Sequence, residues 1–580
     1  MKKIIKNFNL IDYIPRVIAC WLYMVIVINN VIKNDNVLVS ILVFVTCFIF
    51  YSFLNNKSKK IHIDSIIMLF NYIICSLIWL NNFNLIENNM QYLISIIVFL
   101  IFIIIFTVNK NKNLFKIYID NKSLKLLTYL IVSIPTIILI TIGVLRYITF
   151  NSPNFDFGIF SHIFHYMKDS FIPYSTCERD MLLSHFAVHF SPILYVILPI
   201  YFIFSSPITL QVLQALLLCS GIIPLIKLCK HYKLSNKIIV LVSILYCFYP
   251  ALSTGTFYDF HENAFLPLLL LWIFYFFEKE KNIPLYIFTL LTLMVKEDAA
   301  LYLIIFSLYL LISRKKYKTG FKILIVSLLY FLVVTYFMKK FGLGIMSDRY
   351  ENLIFDNSGL VGAIKTILLN PGYVLTQLLS NPSNNFDKIV YLFKLFMPVM
   401  FIPFITKKTS RYILLVPILI NILTNYVYMY DINFHYSYGI LAFIFYLLIL
   451  NIKDMNKDKL IIFSTLSIII TFICYYSFVI PTFKNNILDY KYNKENYKLI
   501  KKTLNAIPKD KSVSSSTFYL PHLTNRKELY EIYYHGNKTD IDYVVLDMRY
   551  KDELDSLEYY LNNGYKIVIE EKDIISILKK

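Results

Sequence analysis

Four short polar breaks in an otherwise apolar chain gather its carboxylates and histidines, the side chains able to move protons or hold a cation. The break "TFYDFHENAF" at 256–265 sets Asp259, His261 and Glu262 within four positions. Upstream, the stretch from Asn151 to Tyr195 carries Asp156, His162, His165, Glu178, Asp180, His185 and His189. "LMVKEDAALYL" at 293–303 joins Lys296 to Glu297 and Asp298, and "NYVYMYDINFHYSYGI" at 425–440 sets Asp431 four residues before His435 among five tyrosines.

Asp156 follows an apolar run by a few residues and so belongs at a membrane interface. A carboxylate there can stay ionised yet partly dehydrated, which suits a general base or a ligand for a divalent cation. The plain alternative is that it caps the next helix. His185 and His189 are four apart, so on a helix they share a face and can hold a metal together with an acid. Asp259, His261 and Glu262 are expected to face a cavity inside the bundle, because ionisable groups avoid lipid. Lys296 beside two acids reads either as a self-neutralising turn or as a cation that meets a phosphate while Glu297 or Asp298 pairs with it or binds a metal. Asp431 and His435 among tyrosines read as an interfacial belt or as an acceptor groove, since sugars bind aromatic faces and carboxylates together.

The elements that must position these groups are membrane helices. Of 580 residues 57% are hydrophobic and 16% charged, and apolar stretches of spanning length recur from residue 17 to 481 between short polar connections. The expected fold is an α-helical polytopic membrane protein of roughly 13–16 spans with a small C-terminal α/β extracytoplasmic domain. Its expected parts are N-terminal transmembrane helices over 1–124, a transmembrane core over 125–481 with outer loops at 149–190, 252–263, 339–389 and 426–438, and a soluble α/β domain over 482–580. In that last part "KENYKLIKKTLNAIP" reads as an amphipathic helix, "KSVSSSTFYL" and "DYVVLDM" as strands, and "KDELDSLEYYLNNGYKIVIEE" as a helix, a glycine turn and a strand.

Basic connections should face the cytoplasm. Those at 55–62 and 109–125 are each preceded by two apolar runs, while the hairpin at 81–89 lacks lysine, so the N-terminus is expected inside. "KLCKHYKLSNK", "EKEKN", "SRKKYK", "TKKTSR" and "KDMNKDK" then also face inward, provided the segment 191–206 dips into the membrane without crossing. The carboxylate and histidine breaks, and the C-terminal domain, come out on the opposite face.

The net charge of +20 belongs to this topology and not to nucleic acid, because the lysines are scattered over connections instead of forming one stripe with interleaved aromatics. Nearly all the cysteines lie in or beside apolar runs, so no disulfide framework or CxxC metal site follows. The chain has no Walker loop, Rossmann glycine pattern, HExxH or GxSxG.

The ordered strings "FDFGIF", "HFSPILYVILPIY", "YPALSTGTFYDFHENAF", "LMVKEDAALYL" and "FHYSYG" resemble an uncharacterised family of bacterial and archaeal multispanning membrane proteins, defined as a domain of unknown function, over roughly residues 125–550. That family is similar to the GT-C class of integral membrane glycosyltransferases, which take sugars from polyprenyl-phosphate donors and place an acidic residue in the first outer loop. The resemblance implies that Asp156 occupies the catalytic acid's position, although four N-terminal spans precede the helix that would be first in the class. It implies transfer of a sugar to an envelope glycan, lipid or protein acceptor at the outer membrane face, with Asp156 as general base, Lys296 with His261 or a divalent metal ion held by Asp259 and Glu262 to stabilise the phosphate, and Asp431 or His435 to bind substrate. A second reading is a transporter or flippase of a lipid-linked or polar solute, and a third is a non-catalytic envelope-binding membrane protein.

Overall fold

A computed structural model describes residues 10–28, 37–57, 63–82, 90–111, 118–344, 348–355, 359–380, 386–533 and 538–580. The basic start of the chain, the connections at 55–62 and 109–125, the hairpin at 81–89, parts of the loop 339–389, and His62 and His535 fall partly or wholly outside the described residues.

The protein is an α-helical polytopic membrane protein. Among the described residues, six helices are long and apolar enough to cross a bilayer: Leu93–Lys110, Asn121–Ile148, Pro207–His231, Tyr317–Phe341, His435–Asp454 and Lys457–Leu504. Asn236–Cys247 and Pro250–Tyr258, bent by 41°, make a seventh if counted as one span. The bend has a sequence cause: Pro250 opens the second helix and forces Tyr249 into an extended conformation, φ −74° and ψ 121°. Shorter apolar helices occupy other runs. Leu194–Ile203 has 10 residues, roughly 15 Å at 1.5 Å per residue, about half the hydrocarbon thickness and too short to cross unaided.

Burial sorts the helices by position. On Asn121–Ile148, Leu126, Leu130, Ile134 and Ile137 are exposed at helical spacing, a stripe suited to lipid. Tyr438–Asp454 is apolar and buried on every side from Tyr438 to Ile452, which places it at the centre. Phe265–Glu278 packs on it through Phe274, whose ring lies 4.6 Å from Tyr446 and 5.1 Å from Phe443. At Gly439 a Cβ would meet the Tyr302 ring at 2.3 Å, so only glycine lets Ala299–Ile312 approach this closely. One end of the central helix adjoins His435 and the other carries Lys453 and Asp454.

The last span runs on into Ile480–Leu504 and ends in a small α/β unit. After β1 (Tyr174–Ser175) and β2 (Leu183–Ser184) in the loop following Ile148, its sheet comprises β3 (Val513–Ser515), β4 (Leu529–Glu531), β5 (Tyr543–Leu546), β6 (Lys566–Glu571) and β7 (Ile575–Lys579) in the order β4-β3-β5-β7-β6. β3 runs parallel to β4 and β5, while β7 is antiparallel to both its neighbours. Val544, Val545, Leu546, Ile577 and Leu578 are fully shielded, each contributing about 1.5–3 kcal/mol. Glu553–Asn562 ends before Gly564, whose φ of +88° turns the chain back into β6. The strand read in "KSVSSSTFYL" shortens to three residues because the chain turns at Leu520–His522 to pack against the membrane part. That packing puts the α/β unit on the same side as the loop carrying Asp156.

Candidate functional site

The loop after Ile148 is pinned before it reaches Asp156. A two-stranded ladder, β1 (Tyr174–Ser175) with β2 (Leu183–Ser184), closes its far end. At the near end, Asn154 Nδ2 donates to Glu531 Oε2 at 2.8 Å and to the Cys177 carbonyl at 3.1 Å, and its backbone N–H donates to Thr517 Oγ1 at 3.1 Å. The His522 ring stacks on Tyr147 at 4.1 Å, and Arg549 Nη2 donates to the Phe150 carbonyl at 3.0 Å. A Cβ at Gly158 would meet Asn154 Oδ1 at 2.7 Å and Leu520 at 2.8 Å. The α/β unit therefore clamps the residues on both sides of Asp156.

The break at 256–265 is held as firmly. Asp259 is buried and accepts Arg146 through both carboxylate oxygens, at 3.3 and 3.1 Å, Ser152 Oγ at 2.8 Å and Gln211 Nε2 at 2.5 Å. Gln214 donates to the Asp259 carbonyl at 2.7 Å and accepts from the His261 N–H at 2.9 Å. With Asp259 fixed at φ +67°, its side chain turns toward Arg146 while His261 turns to a cavity. His261 lies flat on His435, ring centroids 3.4 Å apart.

That cavity measures about 380 Å³, and Asp156, His261, His435, Glu178 and Arg349 all border it. Donor atoms of Asp156, His261 and His435 all lie within 4.8 Å of one another, a spread that small side-chain rotations can bring to the roughly 3.3 Å edge of a tetrahedral site with 2.0 Å bonds. His435 Nε2 is buried without a hydrogen-bond partner, which leaves a nitrogen lone pair for a cation. Arg349 lies over the Tyr426 and Tyr436 rings at 5.0 and 5.3 Å, so a planar cation with aromatic walls borders the same space.

Electrostatics differ from one group to the next. Asp156 is half-buried, and what it exposes faces the cavity. Its enclosure pushes the carboxyl up to about 6 against the pull of Lys296 and Arg349. Glu178 and His185 form a buried pair at 3.2 Å. Burial opposes charge on both, yet their mutual attraction wins, holding Glu178 below and His185 above their ordinary values. His189 is pushed down to about 4 by burial and by Lys296, which together outweigh Glu297.

The expected residues thus divide. Asp156, His261, His435, His185 and His189 border the cavity. His185 opens a short 3-10 turn, His185–Ala187, and His189 lies just past its end, so the two do not share an α-helix; each directs Nδ1 to a carboxylate: His185 to Glu178, and His189 to Glu297 at 2.9 Å. Glu297 also accepts the Phe190 N–H at 3.0 Å. Glu262 lies behind His261, between its Nδ1 at 3.2 Å and Lys296 Nζ at 3.7 Å. Asp298 is half-buried near Lys296 and Arg349. Asp431 accepts the Asn433 N–H at 3.0 Å in a local turn and does not reach the cavity; neither does Asp259.

Arg349, Arg179 and Tyr258 border the cavity too and were not singled out by type or spacing. The signal for Arg349 is an arginine beside two acids in "SDRYEN", inside the loop at 339–389.

Against known structures, ArnT from Cupriavidus metallidurans bound to undecaprenyl phosphate matches over 78% of this chain and 97% of that chain, at 10% identity and a TM-score of 0.48. A likeness this loose carries no residue role or ligand across. No curated protein matches the chain. The sequence does match the family described as "Predicted membrane protein (DUF2079)" over residues 146–575, more than half its length, and the chain belongs to that family.

Proposed function

We propose that the protein is a GT-C-like integral membrane glycosyltransferase that moves a sugar from a polyprenyl-phosphate-linked donor to an envelope acceptor, with Asp156 as general base. The observation that carries this reading is the enclosed Asp156 carboxylate, pushed up to about 6, in one cavity with a guanidinium and two stacked imidazoles. Transfer from a lipid phosphate needs a base to take the acceptor hydroxyl's proton as it attacks the anomeric carbon. It also needs positive charge where the phosphate leaves. A carboxylate titrating near 6 is ionised at neutral pH and still basic enough to accept that proton. Arg349 at the cavity wall and Lys296 behind Glu262 supply the charge, and the tyrosines at 426 and 436 supply flat walls for a sugar ring.

The same arrangement fits a divalent cation, with Asp156, His261 and His435 as the residues that would hold it. When bound, such an ion would neutralise phosphate charge. The cavity would open on the outer face, with the N-terminus cytoplasmic and the α/β unit extracytoplasmic. Support for this orientation comes from the split between the carboxylate and histidine end of the bundle and the end bearing Arg314, Lys408 and Lys453.

The test is an inventory of lipid-linked sugars and envelope glycans in cells lacking the protein. Loss of one sugar from a glycan together with accumulation of a polyprenyl-phosphate sugar, both reversed by the wild-type gene, is the expected result. Unchanged inventories would sink the transferase reading and favour solute transport.

A further inference from the structure

A second cavity, about 800 Å³, lies at the other end of the same helices. Phe265–Glu278 starts beside Glu262 and ends at this cavity, and the central helix runs from His435 to Lys453. At 1.5 Å per residue the two cavities are roughly 20–25 Å apart. Lys233, Arg314, Lys408, Arg411 and Lys453 border the second one, converging from four separate segments of the chain.

Two carboxylates adjoin these five cations. Glu278 accepts Arg314 Nη2 at 3.1 Å, and Asp454 accepts Lys408 at 3.0 Å and Arg411 at 2.8 Å. Five cations against two carboxylates leave a surplus of three positive charges. Arg411 is 7% exposed and is locked by the Leu450 carbonyl and Asn451 Oδ1, both at 3.0 Å. Lys453 lies over the Tyr232 ring at 4.3 Å, and among the described residues no carboxylate pairs with Lys233 or Lys453. Ser313 and Ser410 put two hydroxyls 2.9 Å apart on the same wall. Helix C-termini do attract cations through their carbonyls, but that accounts for charges facing water, not for two largely buried guanidiniums around a concave space.

We infer that this cavity binds a phosphate-bearing group, the head of a lipid phosphate or a soluble phosphate ester, on the face opposite Asp156. Planar guanidiniums, lysines and hydroxyl donors around a surplus of positive charge match a phosphate or pyrophosphate dianion. The volume leaves room for an organic substituent.

The experiment uses the full chain in phosphatidylcholine nanodiscs, with inorganic pyrophosphate as the soluble probe and added phosphatidic acid as the lipid one. Binding is read by equilibrium dialysis and by the thermal midpoint. The exposed pair Lys233→Ser with Lys453→Ser leaves the buried ion pairs intact, and Arg314→Gln is the second variant. Saturable pyrophosphate binding, weakened about tenfold in the double variant, a change of about 1.4 kcal/mol, supports the site with a soluble ester as ligand. Stabilisation by phosphatidic acid alone, lost in the double variant, supports it with a lipid phosphate. Absence of both responses overturns the inference. So does binding unchanged in the double variant and in Arg314→Gln, or binding abolished only by Arg349→Gln, which would place the anion beside Asp156.

Discussion

His261 and His435 lie face to face, ring centroids 3.4 Å apart and planes within 12°, although 174 positions separate them in sequence. Asp156 lies close enough to both for the three to share one cation. His435→Phe keeps an aromatic ring in the stack and removes the nitrogen. Its thermal midpoint is expected to stay near wild type, while bound divalent metal, counted by elemental analysis after loading with Mn²⁺ or Zn²⁺, falls from about one per chain toward zero. Undiminished metal in the variant would rule out this ligand set.

The raised Asp156 carboxyl sets a pH dependence. In chelator-treated protein, transfer should rise with pH through about 6, because the base must be ionised, and level off near neutrality. The folded-state value exceeds the roughly 3.9 of an unfolded Asp. Stability from this group is therefore full below about pH 4 and is lost as pH rises through 6. Asp156→Asn should accordingly melt higher than wild type at pH 7.5, with the gain vanishing at acid pH. Thermal scans at several pH values check this; a variant that melts lower at pH 7.5 would contradict it.

Asp259 holds the break in place. Removing one partner of its buried pair with Arg146 strands a charge, which costs about 3–5 kcal/mol. Asp259→Ala should lower the thermal midpoint strongly, whereas Asp431→Ala, which loses only a local turn bond, should change it little. Equal effects from the two would be inconsistent with the geometry.

The α/β unit acts on the site through Asn154. Asn154→Ala releases the bonds to Glu531 and Cys177, and the transfer rate should drop by about ten- to a hundredfold through looser placement of Asp156 while KM for the lipid donor stays within a few-fold. Glu531→Gln, which keeps an acceptor oxygen, should retain most of the rate. A large change in KM with unchanged rate would assign Asn154 to substrate binding instead.

How much of this was legible follows from range. Apolar runs announce spans, and Asp156, His261 and His435 stand out because titratable groups are rare in such a chain. Asp259 stood out equally, and only its partners distinguish it. Arg146 is 113 positions away and sits inside an apolar run, so nothing local shows that it claims both oxygens. Asn154 and Glu531, 377 positions apart, are likewise invisible to spacing. His185 and His189 satisfy a helical spacing rule, but Ser184 enters the turn extended and the chain forms a 3-10 turn instead. Arg349 was hidden because loops have no period, and its aromatic walls come from residues about 80 positions downstream.

Asp156 as the proton acceptor during sugar transfer is the step on which the proposed function rests. Its most direct test is the transfer rate of purified wild type and Asp156→Asn in liposomes containing a radiolabelled polyprenyl-phosphate sugar and envelope acceptor. The substitution preserves shape and one acceptor oxygen while removing basicity. A fall of about 10²–10⁴-fold with donor binding retained is expected. An Asp156→Asn rate within a few-fold of wild type would contradict it.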